Sequence, residues 1–205
     1  MTVKYSQDLN QKIKPCRKIC KACGLYMNQL PVLDFLKNSH IFWVGLSAIQ
    51  FDEGVEHLPL SPTTRTGALI NSIEQPLIDN ISFYKTNLVK CVPLKENGKI
   101  RYPIEHEMEK CYPNFEFELD TLNPSVVFLL GKQVSTFVMK KMGVKDVCLP
   151  NDFKYKPTEI NNTFFVSVHH PSFMLVYKRK QLNTYISNIQ KICIKLTETR
   201  LLSIA

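Results

Sequence analysis

Four short runs rich in β-branched and aromatic residues alternate with longer segments of helical periodicity, and few folds accommodate such an alternation. The four runs span residues 41–45, 83–89, 125–131 and 165–168. The helical patterns span residues 68–80, 105–123, 132–142 and 181–202. Strands that alternate with helices pair in parallel, and the helices cover both faces of their sheet. The sequence therefore predicts an α/β fold, a three-layer αβα sandwich with a central, mostly parallel four-stranded sheet.

The length of 205 residues suits one domain with a sizeable core. We interpret residues 1–205 as a single domain with a cysteine-rich arm at about residues 16–25. No apolar run reaches membrane-spanning length and the polar N-terminus lacks a secretion signal, so we expect a cytoplasmic protein without a membrane partner. We also expect a monomer. The net charge of +8 favours a nucleic acid as partner, although scattered surface lysines would give the same charge.

Seven cysteines in a cytosolic chain favour metal or redox chemistry over a disulfide framework. Cys20 and Cys23 form a C-x-x-C pair, which can hold two thiolates on one metal centre. Such a pair needs two further ligands. Cys148 and Cys193 have apolar neighbours, so we expect them to be small core residues.

The last apolar run ends at a histidine pair followed by Pro171. Proline stops the strand, which leaves His170 at its carboxyl end, where open α/β sheets bind their ligands. Histidine can hold or share a proton near neutral pH, although a structural histidine before a turn is the alternative. The hydroxyl-rich stretch 61–67 precedes a helix. It could bind a phosphate or simply cap that helix.

Taken together, these segments resemble the uracil-DNA glycosylase superfamily, and most closely its iron–sulfur branch, also called family 4. The resemblance covers roughly residues 16–190. It rests on Cys-x-x-Cys-x-Leu at 20–25, the strand ending at Gly45, Thr-Gly-Ala-Leu-Ile at 66–70, Tyr-Lys-Thr-Asn-Leu-Val-Lys-Cys-Val-Pro at 84–93, Glu-Lys-Cys-Tyr-Pro at 109–113, Asn-Pro-Ser-Val-Val-Phe-Leu-Leu-Gly at 123–131 and His-Pro-Ser at 170–172. The resemblance implies a monofunctional DNA glycosylase, which flips a pyrimidine nucleotide out of DNA and hydrolyses its N-glycosidic bond.

The resemblance also implies a metal group, because four cysteines match the positions that hold a [4Fe–4S] cluster in that branch. They are Cys20, Cys23, Cys91 and Cys111. Four thiolates suit such a cluster, but they suit zinc equally well, so zinc at the same cysteines is the alternative. Cys16 is close enough in sequence to compete as a ligand.

Three further residues acquire roles from the resemblance. His170 matches the motif histidine that donates a hydrogen bond to the departing base. Asp52 falls where the branch carries an acid in the loop after the first strand, with Glu53 as the substitute if the register slips by one, and a solvated acidic loop as the alternative. Asn87 matches the residue that reads the base, although a cap at the strand end is the alternative. Its amide can pair with the edge of uracil or, rotated by half a turn, with the edge of cytosine, so it selects a pyrimidine without selecting which one.

The chain departs from the branch at two positions of the expected base pocket. Leu46 stands where the branch has glutamate, and residues 61–63 replace its stacking phenylalanine. With Ser47 and Pro62 as base-binding residues, we expect such a pocket to hold uracil weakly and to admit a bulky C5-modified cytosine. The superfamily includes an anti-phage activity that excises glucosylated hydroxymethylcytosine from phage DNA. Ordinary uracil excision in DNA repair and a non-catalytic DNA-binding relative are the alternatives.

Residues near both motif loops are expected to contact DNA. They are Thr64, Arg65, Ser172, Phe173, Met174, Lys178 and Arg179. The basic side chains would neutralise phosphates. Phe173 and Met174 follow the Pro-Ser turn, where relatives insert an apolar wedge into the vacated base stack, although packing at a helix start is the alternative.

Overall fold

The computed structural model describes residues 23–51 and 57–202. The strands are β1 (Ile41–Ser47), β2 (Phe83–Val89), β3 (Val126–Leu130), β4 (Thr158–Ile160) and β5 (Thr163–Val168). The helices are α1 (Arg65–Glu74), α2 (Glu105–Leu122), α3 (Lys132–Lys141), α4 (Pro171–Tyr177) and α5 (Leu182–Leu202). Within these described segments, no helix combines the length and apolarity needed to cross a membrane.

The strands form one sheet in the order β2-β1-β3-β5-β4. The pairs β1–β2, β1–β3 and β3–β5 are parallel, as the alternation of strands and helices predicted. All four expected strands are present. The additional edge strand β4 is antiparallel to β5 and only three residues long. It is half-buried and lacks an apolar run, so its sequence carries no strand signal.

The sheet is covered on both faces, which confirms the predicted αβα sandwich. Alternate residues of β1 face opposite layers: Phe42 packs in the core cluster that contains Phe115 of α2, and Trp43 packs in the cluster that contains Ile189 of α5. Cys193 is buried in the second cluster, as expected. The expectation for Cys148 is wrong: this residue is exposed, because it lies in the irregular segment between α3 and β4.

A buried ionic network joins α2 to the end of β2. The Lys90 ammonium lies 2.7 Å from the Glu118 carboxylate, and their side chains are 2% and 0% exposed. Thr86 donates to the same carboxylate at 3.0 Å and the Tyr84 hydroxyl donates at 3.2 Å. Every charge in this network therefore has a partner, as burial requires. The network fixes α2 against the strand that carries Asn87.

Candidate active site

A cavity of about 1100 Å³ opens at the carboxyl edge of the sheet. Each of the four parallel strands places one lining residue close to or just beyond its carboxyl end: Ser47, Asn87, Leu130 and His170. Because the chain leaves the sheet in loops at this edge, open α/β folds bind their ligands there. The structure thus brings together three of the residues that the sequence analysis placed at the base pocket, Ser47, Asn87 and His170.

His170 is held in one tautomer by the helix that follows it. It is the N-cap of α4, where its Nδ1 accepts the backbone N–H of Ser172 at 3.1 Å and lies 2.8 Å from the Ser172 hydroxyl. An N–H group can only donate, so Nδ1 carries no proton and the proton of the neutral ring lies on Nε2. Burial lowers the pKa of His170 to about 4. At neutral pH the side chain is therefore an uncharged N–H donor at the cavity wall.

The Asn87 side chain packs against β1 in a space that is open because Gly45 has no side chain. The Asn87 side chain is 4% exposed, yet it lines the cavity. A Cβ atom at Gly45, its partner across the β1–β2 pair, would overlap Oδ1 of Asn87. No described residue forms a hydrogen bond with the Asn87 amide, so its donor and its acceptor both remain available to a ligand.

Replacing Gly45 with alanine is expected to lower the rate of base excision about tenfold or more, because a methyl group there displaces the Asn87 amide. The measurement is single-turnover excision by the Gly45→Ala, Asn87→Ala and double variants. If Gly45 acts through the amide, the double variant is no slower than Asn87→Ala alone. Additive losses in the double variant would contradict this coupling.

The described part of the cavity wall is positively charged. Its described lining residues include four basic side chains, Arg65, Lys95, Arg101 and Lys132, and no acidic one. Arg101 forms a two-point ion pair with Glu107, at 2.8 and 2.5 Å, which holds the loop after Cys91 in place. The remaining three cations suit a polyanion.

Aromatic side chains also line the cavity, contrary to the expectation of a pocket without an aromatic wall. They are Phe51, Tyr102, Phe173 and Tyr177. The Phe51 ring stacks on His57 with ring centroids 3.6 Å apart. The sequence analysis missed Phe51 and the loop residues 95–102, because they lie in loops without a strand or helix pattern.

Several other predicted residues line the cavity: Ser47, Thr64, Arg65, Ser172 and Phe173. Two predictions are corrected. Pro62 lies outside the cavity lining, because it sits at the exposed corner of a turn closed by a 2.9 Å bond from the Thr64 N–H to the Ser61 carbonyl. Met174 is fully buried in the core, so it packs at the start of α4 instead of contacting DNA.

Lys178 and Arg179 do not line the cavity; they follow α4 directly. Arg179 is exposed and its Nε donates to the carbonyl of Leu175 at 2.7 Å. These two cations therefore lie at the surface beside the helix that begins at His170. Cys20 and Asp52, together with Cys16 and Glu53, lie outside the described residues. Phe51 and Leu58, on either side of residues 52–56, both line the cavity.

Three predicted metal ligands belong to one region of the core. Cys91 and Cys111 are buried in the same cluster, and Cys23 packs against it. The segment after Cys23 is fastened on both sides of Cys91, by bonds from Val32 to Lys90 (2.8 Å) and from Asn28 to Val92 (2.9 Å). In the part of the chain that the structure describes, no three ligating side chains are already arranged as a metal site. The donor types, thiols from distant segments, fit a thiolate-bound metal group.

The fold and the cavity define an α/β protein with a basic, aromatic-lined ligand site at the carboxyl edge of its sheet. The profile of the Uracil DNA glycosylase superfamily matches residues 33–192. The chain therefore belongs to the uracil-DNA glycosylase superfamily, as its motifs predicted.

Two curated relatives have similar levels of sequence identity to the chain. The Type-4 uracil-DNA glycosylase of Sulfurisphaera tokodaii is 28% identical over 141 residues, which cover 66% of this chain and 60% of that protein. The Type-4 uracil-DNA glycosylase of Saccharolobus solfataricus is 26% identical over 136 residues, which cover 65% of this chain and 59% of that protein. The chain thus spans about 60% of the length of these relatives. Both matches support the predicted type-4 branch.

The crystal structure of wild-type SMUG2 from Pedobacter heparinus has a similar fold, with a TM-score of 0.51 and 15% sequence identity. The match covers 79% of this chain and 77% of that one. At this identity the similarity concerns the fold alone.

Proposed function

We propose that the protein is a monofunctional DNA glycosylase that flips a pyrimidine nucleotide into the cavity and hydrolyses its N-glycosidic bond to leave an abasic site. One observation carries the proposal: the neutral His170 donor and the Asn87 amide, which has no partner among the described residues, line one cavity with a basic described wall in a member of this superfamily. A base inside a duplex cannot reach such a cavity, so the nucleotide has to leave the stack.

In the proposed reaction, cleavage of the C1′–N1 bond leaves negative charge on the departing pyrimidine and positive charge on the sugar. The Nε2–H group of His170 donates to the pyrimidine O2, and this hydrogen bond strengthens as the charge develops. The ring keeps its Nε2 proton throughout, because Nδ1 accepts the Ser172 N–H and leaves the ring neutral, and a neutral imidazole is too weak an acid to give up its last proton. We assign Asp52 as the carboxylate that stabilises the sugar cation and orients the attacking water, and the proton that this water loses neutralises the departing pyrimidine anion.

The DNA backbone would follow the cations at the cavity and beside α4: Arg65, Lys95, Lys132, Lys178 and Arg179. Thr64 and Ser172 add hydroxyls at the same rim. Phe173 is partly buried and stacks on His169, with centroids 5.3 Å apart. The wedge that fills the vacated stack is therefore better supplied by Val176 and Tyr177 of the same helix, which are 60% and 73% exposed.

We further propose that the substrate is a bulky C5-modified cytosine in phage DNA and that the protein acts in anti-phage defence in the cytoplasm. The cavity volume of about 1100 Å³ exceeds the roughly 300–1,000 Å³ of ordinary small-molecule sites. Ser47 lines it with a hydroxyl that can bond a polar substituent, whereas the hydroxyls of Ser61 and Thr64 at the same wall already bond within their turn and helix cap. Phe51 offers an aromatic surface on which a base can stack. The proposed substrate therefore rests on the volume and the polar lining of the cavity, and not on the lack of a stacking aromatic residue.

Uracil excision in DNA repair is the second candidate. Both type-4 relatives are named uracil-DNA glycosylases, which favours it, and so does Phe51, since an aromatic ring in the cavity can stack on plain uracil.

An oligonucleotide panel tests the proposed function. Single-turnover excision is measured on single- and double-stranded DNA that carries uracil, cytosine, hydroxymethylcytosine or glucosylated hydroxymethylcytosine at one position. We expect the glucosylated base to leave at least about tenfold faster than uracil. Fast loss of uracil alone would favour repair. If the protein bound DNA but produced no abasic site on any substrate, it would be a non-catalytic DNA-binding protein.

Replacing Asn87 with aspartate is expected to slow excision of cytosine-type bases about tenfold or more, because a carboxylate cannot donate to the cytosine N3. Uracil carries its own N3–H donor, so its excision is expected to suffer less. The measurement is the ratio of the two single-turnover rates in wild type and Asn87→Asp. An equal loss on both substrates would contradict the proposed role of the amide.

We also propose that Cys20, Cys23, Cys91 and Cys111 hold a [4Fe–4S] cluster. When bound, the cluster would tie the cysteine-rich arm to β2 and α2. Cys91 lies just after the end of β2, and Cys111 lies within α2. Zinc at the same thiolates remains the alternative. The proposal is supported by the shared core position of the three described cysteines.

Replacing Cys91 or Cys111 with serine is expected to remove the brown colour of the aerobically purified protein and to lower its unfolding midpoint, because one thiolate ligand is lost. Visible absorption and iron and sulfide analysis check this result. Cys148→Ser is the matched control, since Cys148 is exposed and outside the core cluster, and it should keep the colour. A colourless wild-type protein with stoichiometric zinc would contradict the iron–sulfur cluster but not the ligands.

A further inference from the structure

The backbone N–H and carbonyl of His169, which precedes His170, form hydrogen bonds with side chains instead of with a neighbouring strand. The ladder of β5 ends at Val168, whose carbonyl accepts the Gly131 N–H at 2.7 Å. The next residue, His169, bonds to two tyrosine hydroxyls. Tyr185 donates its hydroxyl to the His169 carbonyl at 2.8 Å, and Tyr155 accepts the His169 N–H at 3.3 Å. Both bonds therefore reach His169 from side chains of other elements.

The same hydroxyl of Tyr155 also holds the ring of His169, whose Nδ1 lies 2.8 Å away. A phenol has one proton. The Tyr155 oxygen accepts the backbone N–H and shares a second hydrogen bond with Nδ1, whose direction is set by the tautomer of the neutral His169 ring. Burial, together with the charge of Lys178, lowers the pKa of His169 and favours the same neutral form.

Aromatic packing encloses this arrangement. The His169 ring stacks on Phe173 and meets Phe153 edge-on, each with centroids 5.3 Å apart. Tyr185 and Tyr155 are 0% and 6% exposed. Neither tyrosine lines the cavity. A buried carbonyl without a donor is unfavourable, so each hydroxyl holds its backbone group in one direction.

We propose that Tyr185 and Tyr155 are positioning residues for His170. The carbonyl of His169 belongs to the peptide unit that includes the His170 nitrogen, so the Tyr185 bond sets the direction in which His170 leaves the strand. The tyrosines hold this peptide while Ser172 holds the ring, and Nε2 of His170 remains directed at the ligand. This inference rests on the proposed function, because it assigns the tyrosines to the same reaction without placing them against the substrate.

Tyr185→Phe tests the inference, since it removes the hydroxyl and keeps the ring. We expect the single-turnover rate at saturating enzyme to fall about ten- to hundredfold, as small displacements of a reacting group do. The Kd for DNA with an uncleavable base analogue should not change, because the tyrosine lies away from the cavity. Tyr155→Phe is expected to act in the same direction.

Thr163→Val is the matched control at the opposite end of β5. The buried Thr163 hydroxyl donates to the Pro124 carbonyl at 3.0 Å, so its loss removes another buried bond from a side-chain hydroxyl to a backbone carbonyl, at the far end of the strand that leads to His169. This variant should lower the unfolding midpoint about as much as Tyr185→Phe and keep the wild-type rate. If Tyr185→Phe also keeps the wild-type rate, its hydroxyl is structural and the inference is overturned.

A spectroscopic measurement separates this inference from the proposed function. Nitrogen-15 NMR of the histidine rings should show wild-type His170 as one tautomer, protonated at Nε2, and Tyr185→Phe with a mixture of tautomers or a broadened signal. An unchanged His170 signal would overturn the inference even if excision were slow. Absence of base release by the wild-type protein would instead contradict the proposed function.

Discussion

Replacing His170 with alanine is expected to slow single-turnover base excision by about a hundredfold or more, which corresponds to about 2.7 kcal/mol of transition-state stabilisation. The loss is confined to the chemical step, because the Nε2–H bond gains strength only as the departing base gains charge. DNA affinity, measured with an uncleavable analogue, should stay close to wild type, since the side chains proposed to contact the phosphates do not include His170.

His106→Ala is the control, because His106 is exposed on α2. It should match wild type in rate and affinity. Excision by His170→Ala at a near wild-type rate would mean that His170 only caps α4. A loss of DNA affinity equal to the loss of rate would mean that His170 contributes to binding instead of to the chemical step.

Replacing Glu118 with alanine is expected to lower the free energy of unfolding by about 3–5 kcal/mol, a large part of the stability of a domain. The reason is that the Lys90 ammonium, 2.7 Å away and 2% exposed, would stay buried without its counter-charge. Denaturant titration measures the change. The midpoint should fall while the slope of the transition stays constant.

Two further variants show whether the loss of stability comes from breaking the buried ion pair or from removing any carboxylate of α2. Glu116→Ala removes an exposed carboxylate from the same helix and is expected to change the free energy of unfolding by less than about 0.5 kcal/mol. The double variant Lys90→Met with Glu118→Leu should recover most of the loss, because no charge is then left buried. A Glu118→Ala variant as stable as Glu116→Ala would show that the pair contributes little.

The sheet could be predicted from the sequence because each parallel strand contains a short run rich in β-branched and aromatic residues, although β1 continues past its predicted end at Gly45 to Ser47. β2 (Phe83–Val89) has the expected bounds, and β5 ends just before the predicted stop at Pro171. The positions of His170 and Asn87 follow from the same pattern, since a residue near the carboxyl end of a parallel strand reaches the common edge of the sheet. Their hydrogen-bond partners could not be predicted in this way, because Tyr155 and Tyr185 come from distant segments.

The wall of the cavity depends on loops, which carry no periodicity. Phe51 and Tyr102 reach the cavity through the paths of their loops, and nothing in their neighbours indicates this. Met174 shows the opposite limit: one position after Phe173 along the same turn, it faces the core, because successive helical residues point about 100° apart. The strand β4 is too short and too polar to give a signal.

Mass spectrometry of the free bases released from DNA is the decisive measurement. The wild-type protein is incubated with phage DNA that carries glucosylated hydroxymethylcytosine, with unmodified DNA and with uracil-containing DNA, beside the His170→Ala variant. We expect the free glucosylated base and an equal amount of abasic sites from wild type on the modified DNA, and strongly reduced release by the variant. DNA binding with no free base from any of the three substrates would contradict the assignment of a glycosylase.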